Sequence, residues 1–286
     1  MSCLGLRKPS DFYEARTGEA RTRRIFSFAS SPLRLTGDNT VQIIKIGGNE
    51  LDDPTFVDNL GQAVAALTEP VILVHGGGKE IKELQIKLGI EAQYIDGLRV
   101  TDAESLAVVK MVLAGRVNKR LVASLVAAGV DAFGMSGVDR ASIRVEKLHH
   151  PQGDLGLVGR VTFVRTEVFK HLLEEGVTPV LSPICYGPDG SIFNVNADHV
   201  AMAVATAMAA KVLVFVSNVP GVLRQGELLP HLTAAEVEQL IADKIIVDGM
   251  IPKVRSATEA VAAGVQAVKI TNLTGLQAGT GTTIVA

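Results

Sequence analysis

Val71-Ile72-Leu73-Val74-His75-Gly76-Gly77-Gly78-Lys79-Glu80-Ile81 is the stretch from which the rest of the chain can be read. A short run that is apolar on both faces suits a strand inside a sheet covered on both sides. Three glycines follow, and from Lys79 to Leu88 the pattern turns helical. The same step occurs upstream, where Val41 to Ile46 runs into Gly47-Gly48-Asn49 with Lys45 inside the run. Glycine at a strand-to-helix turn lets backbone approach a ligand, and the exposed amides of a helix start favour an anion. A pair of glycines alone could simply shape a tight turn. Two such clusters after adjacent strands, one carrying a lysine, point to a phosphate or carboxylate guest.

Outward from these turns, further runs read as strands: Val130 to Met135, Pro179 to Ile184, Lys211 to Ser217 and Ala267 to Thr271. Between them lie segments of helical period: Pro54 to Leu67, Asp102 to Ala128, Thr166 to Glu175, Ala197 to Ala209, Ala234 to Ala242 and Lys253 to Ala263. Alternation of this kind predicts an α/β fold, a mostly parallel sheet sandwiched between helices. Gly89, Gly129, Gly176 and Gly264 stand where helices should stop. Residues 137–164 break into β-like pieces, expected to form a hairpin over the sheet edge. In such sheets ligands bind beyond the carboxyl ends of the strands.

Composition narrows the function. The 286 residues carry 28 basic and 30 acidic side chains, a net charge of -2, with 47% apolar and 20% charged residues. That excludes a disordered chain and argues against a nucleic-acid binder, which needs a basic face. Cys3 and Cys185 are far apart with no nearby ligand pattern, so neither a disulfide framework nor structural zinc is expected. The apolar tract Val200 to Val216 is broken by Lys211, so no membrane span is predicted. With no apolar N-terminal segment, a reduced, cytoplasmic protein is the expectation. Residues 1–40 hold seven basic against four acidic residues and little periodicity, and are expected to be a flexible extension. The domain proper is 41–286, divided near residue 187 into lobes of about 41–187 and 188–286 on one continuous sheet.

Phosphate-binding patterns can be tested in turn. A Walker A loop fails because Glu80 follows Gly78-Lys79, and the dinucleotide pattern fails at Ile81. Arg99, before a long helix with Thr101 as expected N-cap, has the fork for a carboxylate, though an ordinary surface ion pair would look the same. Asn194, Asn196 and Asp198 cluster ahead of an apolar helix, where Asp198 could equally serve the helix dipole. Lys253 follows Pro252 at a further helix start. The six histidines lack ligand spacing and read as structural or solvated.

In order along the chain, KIGG (45–48), VHGGGKEI (74–81), DGLRVTD (96–102), MVLAGRVNK (111–119), LGLVGRV (155–161), FNVNAD (193–198), SNVPGVL (217–223) and DGMIPKV (248–254) resemble the amino acid kinase family. The resemblance spans Val41 to Ala286. It implies a three-layer αβα sandwich and an ATP-dependent phosphorylation of a carboxylate, that of N-acetyl-L-glutamate in arginine biosynthesis. By the same resemblance Lys45 and Lys253 would meet the transferring phosphate and Asp198 would orient them. Gly77, Gly78, Arg99, Asn194 and Asn196 would hold the acyl substrate. Gly47, Gly48, Gly76, Ser217, Asn218, Gly221, Gly249 and Met250 would line the nucleotide side. No residue is expected to be a dedicated metal ligand, Mg²⁺ being carried by ATP phosphates and water. A carboxylate acceptor, with a reference pKa of ~4.3, is already ionised and requires no general base.

The resemblance also implies a homodimer. Thr271 to Ala278 contains no acidic residue to meet an arginine side chain, so arginine inhibition is not expected. SNVPGVL hints at a kinase for N-blocked aminoadipate or carrier-linked glutamate, while DGLRVTD and FNVNAD favour N-acetylglutamate. A silent ligand sensor would have no need of both lysines and Asp198. No feature identifies a regulatory protein partner.

Overall fold

The structure, a computed structural model, describes residues 41–48 and 50–286; the expectation for residues 1–40 lies outside them. In chain order the elements are β1 (Gln42–Ile46), α1 (Pro54–Ala65), β2 (Val71–His75), α2 (Gly78–Leu88), β3 (Tyr94–Ile95), β4 (Leu98–Arg99) and α3 (Ala103–Lys110). A π-helical segment, Met111–Val117, leads into α4 (Asn118–Ala127), followed by β5 (Ala132–Ser136), β6 (Ile143–Lys147), β7 (Gly159–Val164), α5 (Thr166–Glu174), β8 (Thr178–Ser182), β9 (Ile184–Tyr186) and β10 (Ile192–Asn194). The remainder comprises α6 (Ala197–Ala207), β11 (Val212–Val216), β12 (Leu223–Arg224), β13 (Glu227–Leu228), β14 (His231–Thr233), α7 (Ala234–Ala242), α8 (Met250–Ala262), β15 (Val268–Thr271), α9 (Leu273–Ala278) and β16 (Thr282–Val285).

Eight strands form one sheet in the order β14-β16-β15-β11-β1-β2-β8-β5, parallel except where β15 meets β16. The six expected strands are all in it. β14 and β16 were not foreseen, being short polar-flanked runs that pair only at the sheet edge. Successive residues of the central strands enter opposite cores, as the period of two requires. Ile43, Ile72, Val74, Leu213 and Phe215 pack beneath α5, α6, α7 and α8. Ile44, Ile46, Leu73, Val214 and Val216 pack beneath α1, α2, α3, α4 and α9. The three-layer expectation holds.

Local chemistry sets the boundaries. Asp53 caps α1 by accepting from the Thr55 amide at 2.9 Å, with Pro54 in the first turn. Thr233 and Glu236 form a reciprocal capping box on α7. Gly89, Gly129, Gly176 and Gly264 all have positive φ at helix ends. One expectation needs correction. Asp102, not Thr101, caps α3, because its carboxylate accepts from the Ser105 amide at 2.7 Å. Residues 137–164 contribute β6 and β7 to a four-stranded second sheet, β10-β9-β6-β7, which packs on α6 and shares its core. β6 and β7 pair antiparallel as the expected hairpin does, and Phe193, Val145 and Val164 supply the apolar side of the sheet they join, which brings it into the core.

Candidate active site

Three adjacent strands deliver their loops to one place. Ile46 at the end of β1 stands opposite His75 of β2 and Val216 of β11, so Gly47, Gly76 and Ser217 leave the sheet side by side. From β1 the chain moves on to β2, and from β11 it moves the other way to β15. The crevice between β1 and β11 is therefore the switch point at which open parallel sheets take ligands.

Lys45 is the only charged residue in β1 and shares its face with Ile43, where the alternation calls for an apolar side chain. Its ammonium lies 2.7 Å from Asp198 Oδ1 and 5.9 Å from the ring centroid of Phe215, its register partner on β11. Asp198 is in the first turn of α6, and the side chain of Asn196 caps that turn by accepting from the Asp198 amide at 2.8 Å. Lys253 comes from the first turn of α8, where its Nζ is 3.4 Å from Asn218 Oδ1 in the loop after β11. The two lysines, 208 positions apart in the numbering (253 − 45), line a single cavity of about 640 Å³. Gly47, Gly48, Gly78, Asp198, Ser217, Asn218, Gly249 and Met250 line it too.

A second cavity of about 440 Å³ adjoins it, with Gly78 in both walls. It holds Gly76, Gly77, Arg99, Asn194 and Asn196. Arg99 lies over the Tyr94 ring, 4.8 Å from its centroid, and donates to Gln85 and to the Gly78 carbonyl, the latter at 3.0 Å. Burial draws its pKa below the ordinary value, yet a guanidinium stays charged at neutral pH and has five N–H donors. Donors beyond those two bonds remain for a carboxylate. Asn194 Nδ2 donates to Thr101 Oγ1 at 3.2 Å, and that hydroxyl donates to the Arg99 carbonyl at 3.0 Å, which couples the two polar stretches.

The glycine loops touch closely. A Cβ on Gly48 would stand 2.8 Å from the Gly77 nitrogen and 2.9 Å from that of Gly78, both backbone atoms. One on Gly77 would meet Leu113 Cδ2 at 2.6 Å. Among the described residues no side chain caps the start of α2, which leaves its first amides for a ligand. Buried Glu80 anchors that turn to the helices behind it, at 2.8 Å from Arg116 Nε and 2.5 Å from an Arg120 nitrogen. Arg120 in turn donates to the Leu51 carbonyl at 2.8 Å.

Two of the expected residues are placed differently: Gly76, expected on the nucleotide side, lines the second cavity, because the loop after β2 turns toward Arg99, and Gly221 is the other. It lines neither cavity, and its Cβ would collide with Thr282 Oγ1 at 2.6 Å, so close packing under the loop explains the glycine. Asp198 contacts Lys45, while the contact of Lys253 is with Asn218. Phe215, Glu50, Tyr94 and Gln85 were missed. Gln85, fully buried, had a signal: it sits four residues after Ile81 on the apolar stripe of α2. Phe215 became visible only once β1 and β11 were in register.

A model of the amino acid kinase family matches residues 40–272. The chain is 56% identical over 248 residues to the acetylglutamate kinase of Roseiflexus sp. (strain RS-1), covering 87% of this chain and 94% of that protein. It is 49% identical over 241 residues to the acetylglutamate kinase of Chloroflexus aurantiacus, covering 84% and 95%. Among solved structures, smu.665 from Streptococcus mutans UA159 superposes with a TM-score of 0.72 at 34% identity, covering 87% of this chain and all of that one (100%).

Proposed function

The chain belongs to the amino acid kinase family, and from that premise we propose that it transfers the γ-phosphoryl group of ATP to the side-chain carboxylate of N-acetyl-L-glutamate. The products are N-acetyl-L-glutamyl 5-phosphate, an intermediate of arginine biosynthesis, and ADP. The observation that carries this reading is the convergence of Lys45 and Lys253 on one cavity at the strand switch point.

A carboxylate oxygen attacks Pγ while the bond from Pγ to the bridging oxygen of ADP breaks. The nucleophile is ionised from the outset, so no proton has to be removed. The obstacle is repulsion between two anions, together with in-line alignment. Lys45 and Lys253 supply positive charge to the migrating group. Gly48 and Gly77 supply amides, and Asp198 keeps Lys45 extended into the cavity. Arg99 and Asn194 hold the acyl substrate in the adjoining cavity, which accounts for Gly78 in both walls. The acid is thus assigned mainly to the lobe of residues 41–187, with Asn194 and Asn196 reaching in from the other, and the nucleotide mainly to that of 188–286, with Lys45, Gly47 and Gly48 meeting its phosphates from across the crevice. Mg²⁺ enters with ATP as part of the substrate, held by phosphates and water; of the lining carboxylates, Asp198 is engaged by Lys45 and Glu50 stands beside Gly47. Among the described residues no helix is long and apolar enough to cross a membrane. We place the enzyme in the cytoplasm, as a homodimer that arginine does not inhibit.

Hydroxylamine converts an acyl phosphate to a hydroxamate. With ATP and Mg²⁺, the expected result is hydroxamate from N-acetyl-L-glutamate and not from N-blocked aminoadipate or carrier-linked glutamate. Product from one of those acids instead would reassign the substrate, and no product from any would end the kinase reading. Sedimentation as a hexamer, or inhibition by sub-millimolar arginine, would overturn the proposed assembly and regulation.

A further inference from the structure

His75, the last residue of β2, is fully buried beside the glycine loop, and the mechanism above makes no use of it. A buried imidazole needs partners for both nitrogens. Nδ1 lies 2.9 Å from the Gly76 carbonyl, and Nε2 lies 3.1 Å from Asn118 Nδ2. The same Asn118 nitrogen is 2.8 Å from the Val180 carbonyl, which identifies it as the amide donor. A carbonyl only accepts and an amide NH₂ only donates, so both neighbours select one tautomer, with the proton on Nδ1 and Nε2 bare. A second proton would face the Asn118 NH₂. In keeping with that, burial above all, with the Arg120 guanidinium adding to it, pushes the ring pKa down to about 4 against the pull of the Gly76 bond.

The grip on Gly76 has a geometric consequence one bond further on. The chain contains no cis peptide among the described residues, and in a trans peptide C=O and N–H point in opposite directions. With the Gly76 carbonyl turned to His75, the Gly77 amide is turned away from it. Gly48 lies against that nitrogen, as the 2.8 Å approach of a built Cβ shows. Asn118, which completes the arrangement, begins α4 directly after the π-helical Met111–Val117, and such segments are frequent at functional sites.

We propose that His75 is a positioning residue: its Nδ1–H bond to the Gly76 carbonyl, with Asn118 fixing the tautomer, holds the Gly77 amide aimed at the anion that enters between the two glycine loops. The inference rests on the kinase reading and adds to it how the amide donor is preorganised, the condition under which such donors count most.

Full-length wild type, His75→Asn, His75→Leu and Asn118→Ala would be compared in the hydroxylamine assay, with thermal unfolding on the same samples. Asparagine can place an amide nitrogen near the position of Nδ1, whereas leucine keeps the bulk and no donor. The expected result is a fall of roughly 10²-fold in kcat for His75→Leu, with KM for N-acetyl-L-glutamate changed only a few-fold. His75→Asn should recover most of that loss even if its Tm is lowered, and Asn118→Ala should lower kcat roughly tenfold. Equal kcat for folded His75→Asn and His75→Leu would overturn the proposal, because packing would then explain the residue. If His75→Leu does not fold, unchanged kcat in Asn118→Ala overturns it. Failure of wild type to form any hydroxamate would instead strike at the kinase reading.

Discussion

Lys45 occupies a position in a central strand that the alternation of β1 would give to an apolar residue, and its ion pair with Asp198 at 2.7 Å is what makes that position tolerable. Among the described residues Lys253 has no such carboxylate in contact and meets Asn218 at 3.4 Å. If both ammonium groups act on the migrating phosphoryl, Lys45→Ala and Lys253→Ala should each lower kcat by roughly 10²-fold or more, as loss of one donor to a developing oxyanion does. Near-normal turnover in either variant would remove that lysine from the mechanism. The buried His75 yields a separate, pH-dependent expectation. Its folded pKa of about 4 is below the ordinary 6.5, so between these values the unfolded chain binds the proton and the folded chain does not. Its contribution is thus fully present above pH ~6.5 and fades as pH falls toward ~4, by on the order of 3 kcal/mol in total. Urea midpoints across that window should fall more steeply for wild type than for His75→Asn; parallel slopes would show that His75 is not titrating in this way. Lys45 stood out in the sequence as a charge inside an apolar strand, whereas Lys253 and the Asn196–Asp198 cluster took their roles from the family resemblance, because a lysine or an acid at a helix start is ordinary by itself. His75 looked merely structural, since nothing in its local sequence reveals that Asn118 will face it.

Where β1 and β2 end, two glycine loops meet backbone to backbone, and no side-chain rotation can relieve a methyl group placed between them. Gly48→Ala is therefore expected to destabilise the fold by about 1 to 3 kcal/mol and, if the displaced amides meet the anion as proposed, to depress kcat. A substitution in another element supplies the contrast. Thr233→Ala removes the capping box of α7, at a cost of about 1 kcal/mol, and should leave kcat unchanged. Should both variants lose activity in proportion to their loss of stability, the close approach at Gly48 has no special part in the chemistry. The strand-glycine-helix steps were legible because each is local, set by residues adjacent in sequence. The π-helical turn between α3 and α4 was not, for Met111 to Val117 reads as ordinary helix. Its widening is tied to packing, with Leu113 and Val117 against Gly77 and Asn118 against His75.

At the scale of the whole molecule, strands from residues 42–182 occupy one half of the sheet and strands from 212–285 the other, meeting where β1 pairs with β11. If the halves divide the substrates as proposed, ATP and N-acetyl-L-glutamate should each raise Tm separately, a ligand at a hundredfold excess over Kd contributing about 2.7 kcal/mol. Arg99→Ala should abolish the rise with N-acetyl-L-glutamate and spare the rise with ATP; loss of both would argue against two separable sites. By itself the sequence determined the layered α/β class, six of the eight strands of the large sheet and the glycine turns, which depend on composition and on periods of 2 and 3.6 that short segments display on their own. The roles of the cavity residues came instead from the resemblance of eight motifs, in order, to the amino acid kinase family. Only the tertiary structure decided that β14 and β16 complete the sheet, that Phe215 lies beside Lys45, that Gln85 and Gly78 hold Arg99, and that Gly221 stays out of the cavities. Each of these is a pairing between segments distant along the chain, and strand order, register and helix phase emerge only when separate apolar faces compete for one core.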